Sequence, residues 1–368
     1  MIKEERIKIK SDDVELGATV AYNSIAKGKQ PLILLIAGTG NLDRDGNSKM
    51  IKINLYKDLS NQFVEQGYVC VRYDKRGTHE STGNYSKNSL TNLVDDAKAI
   101  LEHCKTLPQV DPDKIIVCGH SEGTMIATLL SEKTETNGLI LLGGAGMSLK
   151  EAMHNQNDLV LNEAKNGKGF IYWLLRKTVN PEKIHKQVDD IYAKAEKSTK
   201  DRFFYRGALL GTKYIQEHNS RTGDDYVEIL KKYDGKILAI TGKKDLQADY
   251  TALEKLSELE NAETFTPENV NHILKEVPAN DNNSILNVQK QYKKQAKLPL
   301  HGETLDYISK WIKKNFIMQK TQDESSVTSQ KSPQVTKSST KNQTIKTPKQ
   351  STEKLECKAE ELGSEPEM

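Results

Sequence analysis

Residues 114–133 read KIIVCGHSEGTMIATLLSEK. An apolar run of strand type opens the stretch, a pattern of helix type closes it, and Gly119-His120-Ser121-Glu122-Gly123 joins the two. The pattern G-x-S-x-G alone arises by chance in roughly a tenth of chains this long, given Gly near 7% of residues. Its place between a strand and a helix carries the information, because a serine on that sharp turn is a nucleophile elbow. The turn forces the serine into a strained backbone conformation in which side chains two residues to either side would clash. Gly119 and Gly123 remove those clashes. The turn also sets Ser121 at a helix N-terminus, whose dipole favours negative charge.

Working outward, the same alternation recurs. PLILLIAG (31–38), YVCVRYD (68–74), GLILLGGAG (138–146) and KILAITG (236–242) are short apolar runs ending in Gly or Asp. Such runs suit parallel strands buried on both faces. Amphipathic helical patterns lie near residues 52–66, 88–105 and 122–133. The alternation predicts an α/β fold with a mostly parallel, doubly wound sheet. ERIKIK and VELGATVAY near the start read as an antiparallel pair at its edge. About 90 residues separate GLILLGGAG from KILAITG, where a crossover needs only a dozen or more. That interval is helix-like and aromatic, and is read as an inserted helical cap. The expected division is a core of 1–146 and 235–317, a cap of 147–234 and a disordered tail of 318–368.

A serine hydroxyl needs a base, and the base needs an orienting acid. On a nucleophile elbow of this kind the chain order is Ser, acid, His. His79, His103, His120, His154, His185 and His218 fail that order, which leaves His272 and His301. Asp245 stands just past the strand-like KILAITG, where sites in α/β sheets collect. His272 follows in the loop TPENVNH, with room between them for a helix (TALEKLSELE) and a short strand (ETFTP). His301 begins the last helical pattern, which suits a helix cap. The expected catalytic residues are therefore Ser121, His272 as base and Asp245 as acid, with Asp249 in reserve. A carbonyl attacked by Ser121 becomes an oxyanion that needs preorganised donors. The expected donors are the backbone N–H groups of Glu122 and of Thr39, in the loop Ala37-Gly38-Thr39-Gly40-Asn41.

Other patterns carry less. Asp43, Asp45 and Asn47 hint at a calcium loop, but Gly46 falls at the fourth position and no Glu closes the twelfth, so a salt-bridged loop is expected. No Cys/His cluster, P-loop or GxGxxG is present, so neither metal nor cofactor is expected. Cys70, Cys104, Cys118 and Cys357 lack CxxC spacing and read as reduced thiols. Of 368 residues 36% are apolar, the net charge is only +3, and no run approaches a membrane span. Nothing demands a nucleic acid. The charged start MIKEERIKIK lacks a signal-peptide core, so a cytoplasmic protein is expected. The alternative is an exported effector using its Glu-rich end (353–368) as a signal.

Taken together, these residues resemble the α/β-hydrolase superfamily, nearest to bacterial esterase-like proteins grouped with dienelactone hydrolases and serine aminopeptidases. The resemblance covers about residues 1–317. It rests on GHSEG, GTGNLDRDGN, RYDKRG at Arg72–Gly77, Gly242–Asp245 and Asn271-His272. Ala37, where many members carry His, and Thr78-His79-Glu80-Ser81 depart from the pattern. The resemblance implies hydrolysis of a small-molecule carboxylic ester through a Ser-His-Asp triad and an acyl-enzyme. A serine aminopeptidase-like peptidase or an acyl-thioester hydrolase is the alternative. The peptidase would need a cap carboxylate for the substrate ammonium, for which Glu163, Asp189 and Asp190 are available.

Overall fold

Strict alternation inside the apolar runs puts successive side chains on opposite faces of one sheet, and each face finds its own helices. The computed structural model describes residues 1–281 and 283–317. In chain order its core elements are β1 (Ile2–Ser11), β2 (Val14–Asn23), β3 (Gln30–Ile36), α1 (Leu55–Glu65), β4 (Val69–Tyr73), α2 (Leu90–Lys105), β5 (Val110–His120), α3 (Glu122–Ser131) and β6 (Gly138–Leu142). An insertion follows: α4 (Leu149–Asn166), α5 (Phe170–Thr178), α6 (Pro181–Lys197), β7 (Arg202–Tyr205), β8 (Ala208–Gly211), α7 (Thr212–Asn219) and α8 (Gly223–Lys231). The chain returns with β9 (Lys236–Ile240), β10 (Ala262–Phe265), α9 (Val288–Gln295) and α10 (Gly302–Ile312).

The large sheet has the order β1-β2-β4-β3-β5-β6-β9-β10. From β4 to β10 all pairs are parallel, and β1–β2 and β2–β4 are antiparallel. Leu32, Leu34 and Ile36 of β3 pack with Val117, Leu139 and helices α2, α3 and α8. Ile33 and Leu35 pack on the other face with Cys118, Ile140, α1 and Trp311 of α10. Burying such a side chain is worth about 1.5–3 kcal/mol, so the two layers fix the register of the central strands. β3 has β4 on one side and β5 on the other, so its C-terminal end is the switch point where ligands collect in open α/β sheets.

Three expectations needed revision. The helical pattern TALEKLSELE is a 3₁₀ stretch, Tyr250–Leu256. The insertion is not purely helical: β7 and β8 form a hairpin whose Arg206 and Gly207 both have positive φ, as a two-residue turn between twisted strands requires. Arg-Gly is a weak form of that signal. Finally, α8 lies within residues 147–234 but sends Tyr226, Val227, Ile229 and Leu230 into the main core, so by packing it is a layer helix of the sheet. The tail and Cys357 lie outside the described residues.

Candidate active site

The elbow at the end of β5 is sterically determined. Ser121 has φ 56° and ψ −122°, well outside the regions open to most residues. A Cβ on Gly119 would lie 2.1 Å from the Gly123 carbonyl oxygen, and one on Gly123 would lie 2.2 Å from that of Ile36. Both obstacles are backbone and cannot give way, so only glycine fits either position. Ser121 N–H donates to Leu142 O at 2.8 Å, fixing the turn to β6.

Ser121, Thr39 and His272 line one cavity of about 410 Å³ above the C-terminal ends of the strands. His272 Nδ1 donates to Asp245 Oδ2 at 2.8 Å, and Asp245 Oδ1 accepts from the N–H groups of Gln247 (2.7 Å) and Ala248 (2.9 Å). This pairing keeps the proton on Nδ1 and leaves Nε2 a free acceptor. Asn271 builds the loop that presents His272: its Oδ1 accepts from Ile273 and Lys275 N–H. Among the described residues, no hydrogen bond joins Ser121 Oγ to His272; such bonds commonly tighten only with substrate bound. Asp249, the reserve acid, instead caps the 3₁₀ stretch through Thr251 N–H. His301 accepts from Thr304 N–H at the start of α10 and stands away from the cavity.

The loop after β3 is held from both sides. Gly38 N–H donates to Tyr56 Oη at 2.8 Å, and Lys75 Nζ donates to Gly38 O at 2.9 Å. In a trans peptide the N–H points opposite the preceding carbonyl, so Lys75 aims Thr39 N–H the other way. Neither Thr39 N–H nor Glu122 N–H is spent on another group among the described residues.

Sequence reasoning placed Glu122 only as a backbone donor, Lys75 only within the RYDKRG match, and His120 among the histidines that fail the chain order. All three are buried, and all three tie the site together. Glu122 Oε2 accepts from Lys75 Nζ at 2.6 Å, and Oε1 accepts from Tyr214 Oη and, at 3.3 Å, from His218 Nε2, both on α7. Burial alone would raise the Glu122 carboxyl, but the charge of Lys75 and the bond from His218 overcome it and hold it well below the usual range. His120 runs from Tyr56 Oη (Nδ1, 3.0 Å) to the His272 carbonyl (Nε2, 2.8 Å). Burial first, and neighbouring His272 next, push its pKa down to about 3, so it is a neutral link between the Gly38 loop and the base-bearing loop. Its adjacency to Ser121 is what places His120 beneath the site. No local pattern announced Tyr56, Tyr214 or His218.

The remaining candidates fall elsewhere. Asp45 pairs with Arg72 and Arg44 with Asp74 and Glu80, so the acidic loop is salt-bridged. No group of three metal-ligating side chains occurs among the described residues. Glu163 Oε1 accepts from Tyr172 and Ser284 outside the catalytic cavity, and Asp189 pairs with Lys150 on the surface. Cys70, Cys104 and Cys118 are buried and free. No helix among the described residues is long and apolar enough to cross a membrane.

With this geometry in hand, a family model described as "Serine aminopeptidase, S33" matches residues 51–258, more than half the chain. The chain belongs to that family. That family is part of the α/β-hydrolase superfamily, and esterase-like proteins are among this chain's relatives. Esterase EstD of Thermotoga maritima is 24% identical over 274 residues, covering 71% of this chain; the chain spans only 59% of that protein's length. Est1E from Butyrivibrio proteoclasticus, solved with ferulic acid bound, has a TM-score of 0.50 at 20% identity over 78% of this chain and 96% of that one. DcsB, solved with a substrate analogue, has a TM-score of 0.52 at 17% identity over 86% of this S33-family chain and 100% of that one. At these identities the two structures speak to the fold alone.

Proposed function

We propose that the protein hydrolyses carboxylic esters with an uncharged, largely apolar acyl group, through Ser121, His272 and Asp245. Ser121 Oγ attacks the carbonyl carbon while His272 Nε2 takes its proton, and Asp245 steadies the resulting imidazolium. The oxyanion is received by the N–H groups of Thr39 and Glu122. His272 then protonates the departing alcohol, leaving an acyl-enzyme. A water deprotonated by the same nitrogen releases the acid and restores Ser121.

The observation that carries this reading is the chemistry of the cavity wall. Leu42, Ile51, Ile53, Met125, Met147 and Met153 make up much of it, beside the uncharged amides of Gln156, Gln247 and Gln289. The one carboxylate lining it, Glu122, is already spent on Lys75, Tyr214 and His218. An aminopeptidase needs a carboxylate to hold the substrate ammonium, and Glu163, Asp189 and Asp190 do not line this cavity. The family's name thus covers the machinery, while the pocket favours an ester.

The test has two arms. A fluorophosphonate probe should label the wild-type protein and not Ser121→Ala, and the variant should lose on the order of 10⁶-fold in kcat. Persistent labelling of the variant would remove Ser121 from the reaction. A panel of short- and medium-chain esters set against aminoacyl amides should then give turnover with the esters; preference for the amides would overturn the ester assignment.

A further inference from the structure

We propose that the exposed face of α5 docks the protein onto an anionic lipid surface. The face is apolar and, among the described residues, uncovered. Phe170 is 73% exposed, Ile171 67%, Trp173 50% and Leu174 44%. Phe170 and Trp173 stack with ring centroids 5.7 Å apart, in the open. Spacings of three and four residues bring these side chains to one side of the helix, while Tyr172 and Leu175 are half-buried. Single exposed apolar residues are ordinary, but a contiguous patch of four large ones marks a surface that meets something.

The charges around the patch name the partner. From Lys165 to Lys186 there are six basic residues and one acid, Glu182, although the whole chain carries only +3. Lys165, Lys168, Lys177, Lys183 and Lys186 are exposed, and none of them pairs with a carboxylate among the described residues. Arg176, by contrast, is occupied with the carbonyls at the end of α4, including Ala164 O at 2.8 Å. A short helix with aromatic and aliphatic residues on one side and free lysines around it is the composition that lies in a bilayer interface. Trp and Phe supply the apolar insertion, and the lysines supply attraction to anionic headgroups. A second copy of this chain would bring six like charges of its own against these lysines, which disfavours self-association through the same face.

The surface is independent of the hydrolytic reading, and binding is measured without substrate. Trp311 is 2% exposed, so Trp173 is the tryptophan able to report contact. The full-length protein should sediment with phosphatidylglycerol–phosphatidylcholine vesicles and not with pure phosphatidylcholine vesicles, with tryptophan emission moving to shorter wavelength. Raising salt from 0.1 to 1 M shortens the screening length from ~10 to ~3 Å and should release it. Phe170→Ser/Ile171→Ser keeps Trp173 and should lose vesicle binding. Lys168→Glu/Lys177→Glu should lose it too, without altering the apolar patch. Both variants should hydrolyse a water-soluble ester as the wild type does, which shows that they fold. Absence of vesicle binding, equal binding to the neutral vesicles, or a wild-type dimer that Phe170→Ser/Ile171→Ser splits without any effect of lipid would each overturn the proposal.

Discussion

Helices α3 and α5 are similar in length and both rich in apolar residues, yet their fates are opposite. Nine of the ten residues of α3 are buried, whereas none of the nine in α5 is. The difference lies in what surrounds them. α3 sits under the elbow between the sheet and helices α2 and α8, so even Glu122 is taken out of water and must be paired. α5 rests mainly against α4, and among the described residues nothing covers its apolar side. An apolar sequence therefore reports that a surface will be covered, and the neighbours decide by what. At the elbow the cover is this chain; on α5 no described residue supplies it.

The contrast can be broken or sharpened by substitution. The largest effect on stability is expected from Gly123→Ala, whose Cβ would meet the Ile36 carbonyl oxygen at 2.2 Å. Backbone cannot step aside, so the loss should exceed ~4 kcal/mol and be visible as a collapsed urea midpoint. A midpoint near wild type would show that the elbow is looser than its geometry. Next is Lys75→Met, which strands Glu122 as a buried charge and should cost about 3–5 kcal/mol. Adding Glu122→Met should return part of that loss, because the stranded charge is gone; strictly additive losses in a double-mutant cycle would argue against coupling.

The acid dependence comes third. His120 titrates near 6.5 when unfolded and at about 3 in the fold, where burial disfavours its charged form. Between those values the unfolded chain binds the proton and the folded chain does not. Stability is therefore fully present above pH ~6.5 and falls below it, by about 1.4 kcal/mol per pH unit from this group. His120→Gln should flatten the slope between pH 6.5 and 5, measured by urea unfolding at each pH; an unchanged slope would mean that another group sets it. The smallest effect belongs to α5. Leu174→Ser should move stability by no more than ~0.5 kcal/mol, since the side chain is 44% exposed. A larger loss, read from thermal unfolding, would mean that this face is covered within the monomer.

The legible parts of the site were those with a local signature. Gly119 excludes a Cβ within a few residues of chain, and the strands around the elbow are continuous apolar runs of the kind a sheet buried on both faces rewards. Asp245 and His272 followed from their positions just past a strand end and in the loop after the next strand. Lys75, Tyr56, Tyr214 and His218 had no such signature. Each is separated by many residues from the atoms it binds: Lys75 is 47 positions from Glu122, and Tyr214 is 92. The cap boundary was obscured for a similar reason, since α8 has the same amphipathic pattern as the cap helices and only its neighbours make it part of the core.

The sequence by itself determined the α/β alternation and the strained turn at Ser121. Each of these is enforced by sterics or periodicity over a short span. The tertiary structure alone decided which buried charges meet beneath the elbow, which hydroxyl and imidazole join the Gly38 loop to the His272 loop, and which apolar helix is left facing outward. Those outcomes depend on contacts between distant segments, and their energies exist only once the sheet has brought the segments together.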